Sequence, residues 1–171
     1  IVLPRIHDLS HLEDVTRLAI RFLYHGSRRA IYPTEGTQQV ASRNRRIGLG
    51  VMGLHEWCLQ RRKPYAWDVE LDRWMQTWAQ VADDEAHQLG QEFGVEPIAT
   101  RAIAPTGTIS ILAETTGGIE PLFCTAYKRR YIDGGRHKYQ YVVDPTAKRM
   151  MDHGVPAKEI EDAYDLSYDL D

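Results

Sequence analysis

The longest periodic segment of the chain, residues 68–93, is the feature that most constrains its fold. Apolar residues recur there at the spacing of one helical face, and the residues between them are mostly charged or polar. The members of that face are Leu71, Trp74, Trp78, Val81, Leu89 and Phe93, with Glu85 as a polar exception. We therefore predict a long amphipathic helix that packs against a core. We expect the tryptophans in or beside it to serve packing: Trp67, Trp74 and Trp78.

A second helix is predicted near the amino-terminal end. Ser10 and Glu13 have the spacing of a capping box, in which the hydroxyl and the carboxylate each accept a backbone N–H. Gly26 is suited to the left-handed conformation that ends a helix. The apolar face expected between them contains Leu12, Val15, Ala19, Phe22 and Leu23. Residues 27–46, which are basic and irregular, favour a solvated surface connection over a phosphate-contacting role.

Short strands are predicted to run directly into helices. Residues 47–51 alternate apolar and other residues as a strand does, and a helical stripe follows from Leu54 to Leu59. Residues 102–104 form another short apolar run, which passes through a turn into a helix that opens at Ile109. Residues 139–143 are rich in strand-forming side chains. The predicted fold class is therefore α/β, with helices alternating with short strands in one domain, residues 1–171.

Composition excludes several classes of function. The 171 residues include 21 basic and 24 acidic side chains, a formal net charge of -3, so bulk charge attracts neither nucleic acid nor anionic membranes. No apolar run approaches the roughly 20 residues that span a bilayer. Cys58 and Cys124 lie far apart and form no zinc or disulfide pattern, which favours a reducing, cytoplasmic setting. The histidines have no ligand spacing, so no protein metal site is expected.

Two glycine-containing loops are candidates for phosphate binding. Gly48 to Gly53 matches G-x-G-x-x-G, and Asp68 or Asp72 follows about 20 residues later, as in nicotinamide-dependent oxidoreductases. However, residues 43–46 are polar where that motif needs a hydrophobic strand, so close packing of a strand on the next helix is the favoured interpretation. The nicotinamide enzyme is kept as an alternative.

The second loop places glycine and hydroxyl side chains between a predicted strand and a helix. Free N–H groups and the helix dipole at such a junction hold a phosphate without a lysine. An ordinary threonine N-cap explains the same residues equally well. The candidate substrate-phosphate residues are Pro105, Thr106, Gly107, Thr108 and Ile109.

Three blocks of sequence occur in an order and approximate spacing that resemble ribonucleotide reductase large chains. The blocks are residues 44–54, residues 104–110 and residues 118–123. The later runs 126–131 and 139–146 look most like the adenosylcobalamin-dependent, class II branch. The resemblance covers nearly the whole chain, and it interprets the Gly48–Gly53 motif as a strand-to-helix turn.

The resemblance implies a fold and an activity. The fold would be part of the ten-stranded reductase α/β barrel, from its C-terminal half, and the loop Pro105 to Ile109 would bind the phosphates of a ribonucleoside di- or triphosphate. The reaction would reduce ribonucleotides to deoxyribonucleotides by thiyl-radical chemistry with adenosylcobalamin as cofactor. In the family the radical cysteine, its glutamate and asparagine partners and the reducing cysteines lie outside this stretch, so no catalytic residue is expected here.

The chain also looks like a piece of a larger protein, because it opens at Ile1 and stops at Asp171 within a patterned run, residues 163–167. We expect the isolated chain to be inactive and to need the remaining reductase segments or chains, or self-association, to cover its strand edges. A non-catalytic piece that completes a split reductase is a further alternative. Cys58 and Cys124 are expected to be packing residues, and Glu120 to have a structural hydrogen-bonding role.

Overall fold

The computed structural model describes residues 1–122, 124–156 and 158. The described helices and strands are a 3₁₀ turn Leu3–Arg5, α1 Leu9–Arg29, α2 Glu35–Asn44, α3 Leu54–Gln60, α4 Val69–Phe93, α5 Ile109–Leu112, β1 Ala126–Asp133, β2 Arg136–Val143 and α6 Pro145–Asp152. They belong to two compact units. Unit 1 contains residue 1 with residues 5–51 and 67–104, and unit 2 contains residues 2–4 and 52–66 and the chain from residue 105 onward.

Helix α4 confirms the predicted long helix and packs against α1 to form the core of unit 1. The side chain of Asp68 caps α4 by accepting a hydrogen bond from the N–H of Leu71 at 2.8 Å. Its predicted apolar face is buried, except that Phe93 is half-buried. Trp74 and Trp78 are buried as expected, whereas Trp67 is 65% exposed, so the packing prediction was wrong for that residue.

The polar exception on the buried face of α4 has a partner on α1. Glu85 is only 3% exposed, and its Oε1 lies 2.5 Å from the Nε of Arg21. The second carboxylate oxygen accepts from Arg21 Nη2 at 3.3 Å, so the pair is bidentate. A buried carboxylate with such a partner is satisfied, which explains why a glutamate is tolerated on this face.

Both predicted ends of α1 were wrong. The N-cap is Asp8, whose Oδ1 accepts from the N–H of His11 at 2.8 Å, two residues before the expected Ser10. A carboxylate at an N-cap competes well with a hydroxyl because it also favours the helix dipole. The helix continues through Gly26 to Arg29. Its buried residues are Leu12, Thr16, Ile20 and Tyr24, while the predicted Phe22 is 76% exposed.

The basic stretch 27–46 is more regular than expected. It contains α2, whose N-cap Thr34 accepts a hydrogen bond from the N–H of Thr37 at 3.2 Å. Helix α2 has no buried residue, so the expected surface position is confirmed although the irregular structure is not. The missed signal is Thr34 followed by Glu35, a cap and an acidic residue in the first turn.

Two extended segments of unit 1 lie side by side in parallel. Leu49 pairs with Arg101 in a single parallel bridge, in which the N–H of Leu49 donates to Thr100 at 2.9 Å and the N–H of Ala102 donates to Leu49 at 3.0 Å. Ile47, Leu49 and Val51 are buried in the predicted alternation, but the predicted strand was wrong, because residues 47–51 form only this isolated bridge. Residues 102–104, by contrast, are exposed and form no strand.

The described part of unit 2 includes the short helices α3, α5 and α6 and a hairpin. Helix α3 confirms the helical stripe predicted after Gly53, and five of its residues are buried, beginning with Leu54. Helix α6 was not predicted: Asp144 caps it by accepting from the N–H groups of Thr146 and Ala147 at 3.0 and 2.9 Å, with Pro145 in the first helical position. The Asp144–Pro145 pair thus ends a strand and starts a helix.

Strands β1 and β2 form a two-stranded antiparallel sheet in which Ala126 pairs with Val143 and Asp133 with Arg136. Strand β2 confirms the strand predicted at residues 139–143, but β1 was missed. The two residues between the strands, Gly134 and Gly135, have φ of +57° and +74°. Two positive φ angles in a two-residue loop match the twist of a hairpin, and glycine adopts them without steric cost.

The structure thus confirms a mixed helix and strand protein, although the sheet described is antiparallel and has two strands. The patterned run 163–167 lies outside the described residues. Among the helices described, none combines the length and apolar character needed to cross a membrane.

Candidate functional site

The predicted phosphate loop lies at the start of α5 in unit 2. Pro105, Gly107, Thr108 and Ile109 are exposed, and Thr106 is half-buried. The first helical hydrogen bond runs from the N–H of Ser110 to the carbonyl of Thr106 at 2.9 Å. Within the part of the chain that the structure describes, the N–H groups of residues 107–109 donate to no acceptor. They are therefore open to an external acceptor.

Thr106 holds the loop in an unusual backbone conformation. Its φ of +53° is left-handed, which is uncommon for a β-branched residue. Its Oγ1 accepts a hydrogen bond from the N–H of Gly118 at 2.7 Å. Because this contact uses the oxygen as an acceptor, the hydroxyl hydrogen of Thr106 can still be donated.

One residue from each of the three sequence blocks that we singled out lies at this loop in unit 2, namely Leu54, Thr106 and Gly118. The carbonyl of Gly118 accepts from the N–H of Leu54 at 3.4 Å, and the N–H of Gly118 donates to Thr106. A Cβ on Gly117 would lie 3.0 Å from the carbonyl oxygen of Pro105, so glycine permits that close approach. The blocks are thus adjacent in space although they are separated in sequence.

Thr108 does not act as the threonine N-cap that was the alternative explanation of the loop. It occupies the N-cap position of α5 with φ -98° and ψ -43°, but its side chain makes no capping hydrogen bond. Its Oγ1 instead lies 3.4 Å from Nη2 of Arg129 on β1. No local signal in the sequence indicates that Arg129 lies at this loop, because the contact depends on the unpredicted hairpin.

A cavity of about 210 Å³ opens beside the loop. Pro105 and Gly107 line it on one side, and Tyr127 and Val142 of the hairpin line it on another. Glu120 also lines the cavity. Its expected structural hydrogen bond is not formed with any residue that the structure describes.

The segment 119–122, part of which lines the cavity, is held by His55 of α3 and by Tyr65, which follows α3. His55 is 1% exposed, and its Nδ1 accepts from the N–H of Leu122 at 2.9 Å. The Tyr65 hydroxyl donates to the carbonyl of Ile119. Burial, and to a lesser extent Cys58 and Glu120, raise the pKa of Tyr65. These contacts fix residues 119–122 against α3, so their roles are structural.

The glycines of the G-x-G-x-x-G motif are explained by close packing. A Cβ on Gly48 would lie 2.9 Å from the Cβ of Ala102, and one on Gly50 would lie 2.5 Å from the Ala102 carbonyl oxygen. The neighbour is thus another extended segment, not the following helix that we expected. Gly53 has φ +84° and caps α3.

The nicotinamide alternative is not supported, because the start of α3 is already occupied. A dinucleotide site needs free N–H groups there for the pyrophosphate. The N–H of Leu54 instead donates to Gly118, and that of Glu56 donates to Thr116 Oγ1 at 3.3 Å.

The two cysteines are free thiols that differ in burial. Cys58 is 2% exposed in α3, which confirms a packing role. Cys124 is half-buried, and burial is the main cause that raises the pKa of its thiol. A raised pKa lowers the thiolate fraction and so lowers reactivity. Within residues 1–122, 124–156 and 158, no group of three His, Cys, Asp or Glu side chains is placed to hold a metal ion.

The described residues form a mixed helix and strand protein with an exposed turn before a helix, and the N–H groups of that turn have no acceptor among them. Comparison with known proteins places it more closely. Residues 1–81 and 66–169 match the model of the family described as ribonucleotide reductase, barrel domain. The chain therefore belongs to the ribonucleotide reductase barrel-domain family.

Similar proteins agree with this membership. A vitamin B12-dependent ribonucleoside-diphosphate reductase of Mycobacterium tuberculosis is 34% identical over 161 residues, which cover 84% of this chain and 23% of that protein. A protein of the same description from Thermoplasma acidophilum is 32% identical over 149 residues, covering 74% and 19%. This chain thus spans about a fifth of the length of these relatives.

A solved structure of a B12-dependent, class II ribonucleotide reductase has the same fold. It superposes with a TM-score of 0.61 over 70% of this chain and 20% of that one, at 19% sequence identity.

Proposed function

We propose that this chain forms part of the catalytic barrel of a ribonucleotide reductase and holds the phosphates of the substrate with the loop Pro105 to Ile109. The substrate class is a ribonucleoside di- or triphosphate, which the complete enzyme reduces to the deoxyribonucleotide by thiyl-radical chemistry. Family membership and the names of the relatives support this reaction. A cytoplasmic setting suits it, because thiol chemistry needs a reducing compartment.

One observation carries the assignment of the loop. The N–H groups of residues 107–109 donate to no acceptor within the described chain. The hydroxyl of Thr108 makes no capping hydrogen bond to α5 and also lacks an acceptor among the described residues. Exposed donors at the start of a helix are the groups with which proteins hold phosphate. An N-cap role for Thr108 would have used its side chain on α5, which it does not.

The ten-stranded barrel is part of the same proposal. The parallel bridges Leu49 to Arg101 and Val2 to Met52 support it, because a barrel of parallel strands needs that direction of pairing. Residues 1–171 would then contribute a portion of one barrel domain, and other segments or chains of the reductase would cover its open edges. The isolated chain is accordingly expected to be inactive.

Adenosylcobalamin is the cofactor implied by the relatives, which are described as vitamin B12-dependent. Neither of two cavities formed by residues of unit 2 is large enough to hold it. The cavity beside the loop holds about 210 Å³, and a wider depression between Leu59 and Met150 holds about 520 Å³. Pockets for drug-sized ligands reach about 1,000 Å³, and a corrin is larger than such a ligand. The cofactor site would therefore be completed by other parts of the reductase.

The loop assignment is tested by substitutions in the complete reductase that contains this chain. A Cβ on Gly107 would meet no atom within 4 Å, so Gly107→Val should fold normally while its side chain blocks a phosphate. Thr108→Ala should remove one donor to a charged group, which corresponds to roughly 1.5–3 kcal/mol of binding free energy. Thr108→Ser keeps the hydroxyl and is the matched control.

The measurements are nucleotide affinity and thermal stability on the same variants. We expect weaker binding for Gly107→Val and Thr108→Ala, near-normal binding for Thr108→Ser and little change in melting temperature. Unchanged affinity in the first two variants would contradict the proposed role of the loop. If the complete reductase retains its activity but the isolated chain also reduces nucleotides, the assignment of catalytic residues to other segments is wrong.

A further inference from the structure

We infer that Arg129 is a substrate-phosphate residue, which brings to the loop Pro105 to Ile109 the positive charge that the loop itself lacks. This inference rests on the proposed function of that loop. No lysine or arginine occurs within residues 105–109. Backbone N–H groups carry only partial charges, so a phosphate held by them alone keeps most of its charge uncompensated.

The contact between Arg129 and Thr108 places the guanidinium at the loop. Arg129 Nη2 donates to Thr108 Oγ1 at 3.4 Å. A hydroxyl has two lone pairs and one hydrogen, so Thr108 can accept from Arg129 and still donate to a phosphate oxygen. The hydroxyl and the guanidinium therefore lie next to each other, and both can donate hydrogen bonds to the same phosphate.

The register of the hairpin directs Arg129 to this side of the sheet. Arg129 pairs with Gln140, and it shares a face with Tyr127 and Val142 because alternate residues of a strand lie on one face. Tyr127 and Val142 line the cavity beside the loop. The next residue, Arg130, lies on the opposite face and is exposed.

The guanidinium also has donors to spare. In the described part of the chain the side chain of Arg129 forms no ion pair, and its contact with Thr108 is the one hydrogen bond that this side chain makes. A guanidinium carries five N–H donors in a planar fork that fits two oxygens of a phosphate. A single contact of 3.4 Å to an uncharged hydroxyl uses little of that capacity, because it is at the long end of the hydrogen-bond range.

The test compares Arg129→Gln with Arg130→Gln in the complete reductase. Both changes remove one positive charge from the same strand, but only the first alters the face that lines the cavity. The probes are cytidine, CDP and CTP, whose affinities are measured for each variant. We expect Arg129→Gln to weaken CDP and CTP by about tenfold or more and to leave cytidine unchanged. Arg130→Gln should bind all three probes normally.

Arg129→Lys keeps the positive charge but lacks the planar guanidinium, so we expect its affinity for CDP and CTP to lie between those of the unaltered protein and Arg129→Gln. Such an intermediate affinity would also show that the weaker binding of Arg129→Gln does not come from a folding defect. Equal affinities for Arg129→Gln and Arg130→Gln would overturn the inference, as would an equal loss for cytidine and CDP. Gly107→Val separates the two proposals. If it weakens CDP while Arg129→Gln does not, the loop stands and Arg129 has no role, and if neither variant weakens CDP, both proposals fail.

Discussion

The hydroxyl oxygen of Thr106 and the backbone N–H of Gly118 are joined by a 2.7 Å hydrogen bond. Thr106 is in a left-handed conformation, and Gly118 is buried. A residue in such a conformation costs about 1–3 kcal/mol and persists where its surroundings enforce it. This bond therefore links the backbone conformation of the proposed phosphate loop to the Gly-Ile-Glu-Pro segment, residues 118–121.

Replacing Thr106 by valine should destabilise the protein by about 1–3 kcal/mol. Valine keeps the branched shape but leaves the buried N–H of Gly118 without an acceptor. Thr106→Ser retains the oxygen and serves as the control. Urea denaturation of the three proteins measures the difference, and equal stability of the valine and serine variants would show that the bond is not important.

The ion pair between Glu56 and Arg149 joins a buried carboxylate to an exposed guanidinium, so the two substitutions should affect stability differently. Glu56 is 3% exposed on α3, and its Oε1 accepts from Arg149 of α6. Arg149→Met should cost about 3 kcal/mol, because it leaves a buried carboxylate without its cation. Adding Glu56→Gln should recover part of that loss. A double variant that is less stable than Arg149→Met would contradict this account, as measured by chemical denaturation.

Alanine substitutions at two glycines should have opposite effects on stability. At Gly50 a Cβ would lie 2.5 Å from the carbonyl oxygen of Ala102, so Gly50→Ala should destabilise by about 1–3 kcal/mol. At Gly26, inside α1, a Cβ would meet nothing within 4 Å. Gly26→Ala should stabilise by about 0.5–1 kcal/mol because alanine has the higher helix propensity. Melting temperatures that move in the same direction would refute the packing argument.

Stability should decline at alkaline pH through Tyr65. Burial raises the pKa of its phenol above the ordinary value of 10.0, so the folded state favours the neutral form. The contribution of Tyr65 is fully present below pH 10.0 and is lost as the pH rises through the higher, folded pKa. Denaturation curves between pH 8 and about pH 11 should show a smaller decline for Tyr65→Phe than for the unaltered protein. Identical declines would mean that other tyrosines account for it.

Local signals in the sequence were sufficient for the long helix and for the strand before Asp144. The 25 residues of α4 repeat one apolar face many times, so the period is unambiguous. The ends of α1 were misjudged because Asp8, Ser10 and Gly26 all have plausible terminal roles. A contact beyond the expected stop favours the longer helix, since the guanidinium of Arg28 lies 3.9 Å from the centre of the Phe93 ring. The β1 strand was overlooked because its charged residues resemble a solvated loop, although Gly134–Gly135 is a hairpin signal.

The residues of the candidate site were predicted as a sequence motif, but their three-dimensional arrangement was not. Hydroxyls and glycine between two elements pointed to Pro105 to Ile109, yet nothing local shows that Thr106 accepts from Gly118 or that Thr108 leaves α5 uncapped. These facts depend on contacts between residues that are distant in sequence. Arg129 belongs to the same category, since its position follows from the pairing register of two strands.

The parallel bridges determine the order in which this chain can assemble. The hairpin joins neighbouring residues, and a hairpin forms within roughly 1–10 μs. The bridge between Leu49 and Arg101, by contrast, closes a loop that includes all of α3 and α4. Closing long loops costs entropy before their contacts compensate for it, so such pairings form late. During synthesis, the extended segment 47–51 would therefore wait for about 50 further residues before its neighbour around Arg101 exists.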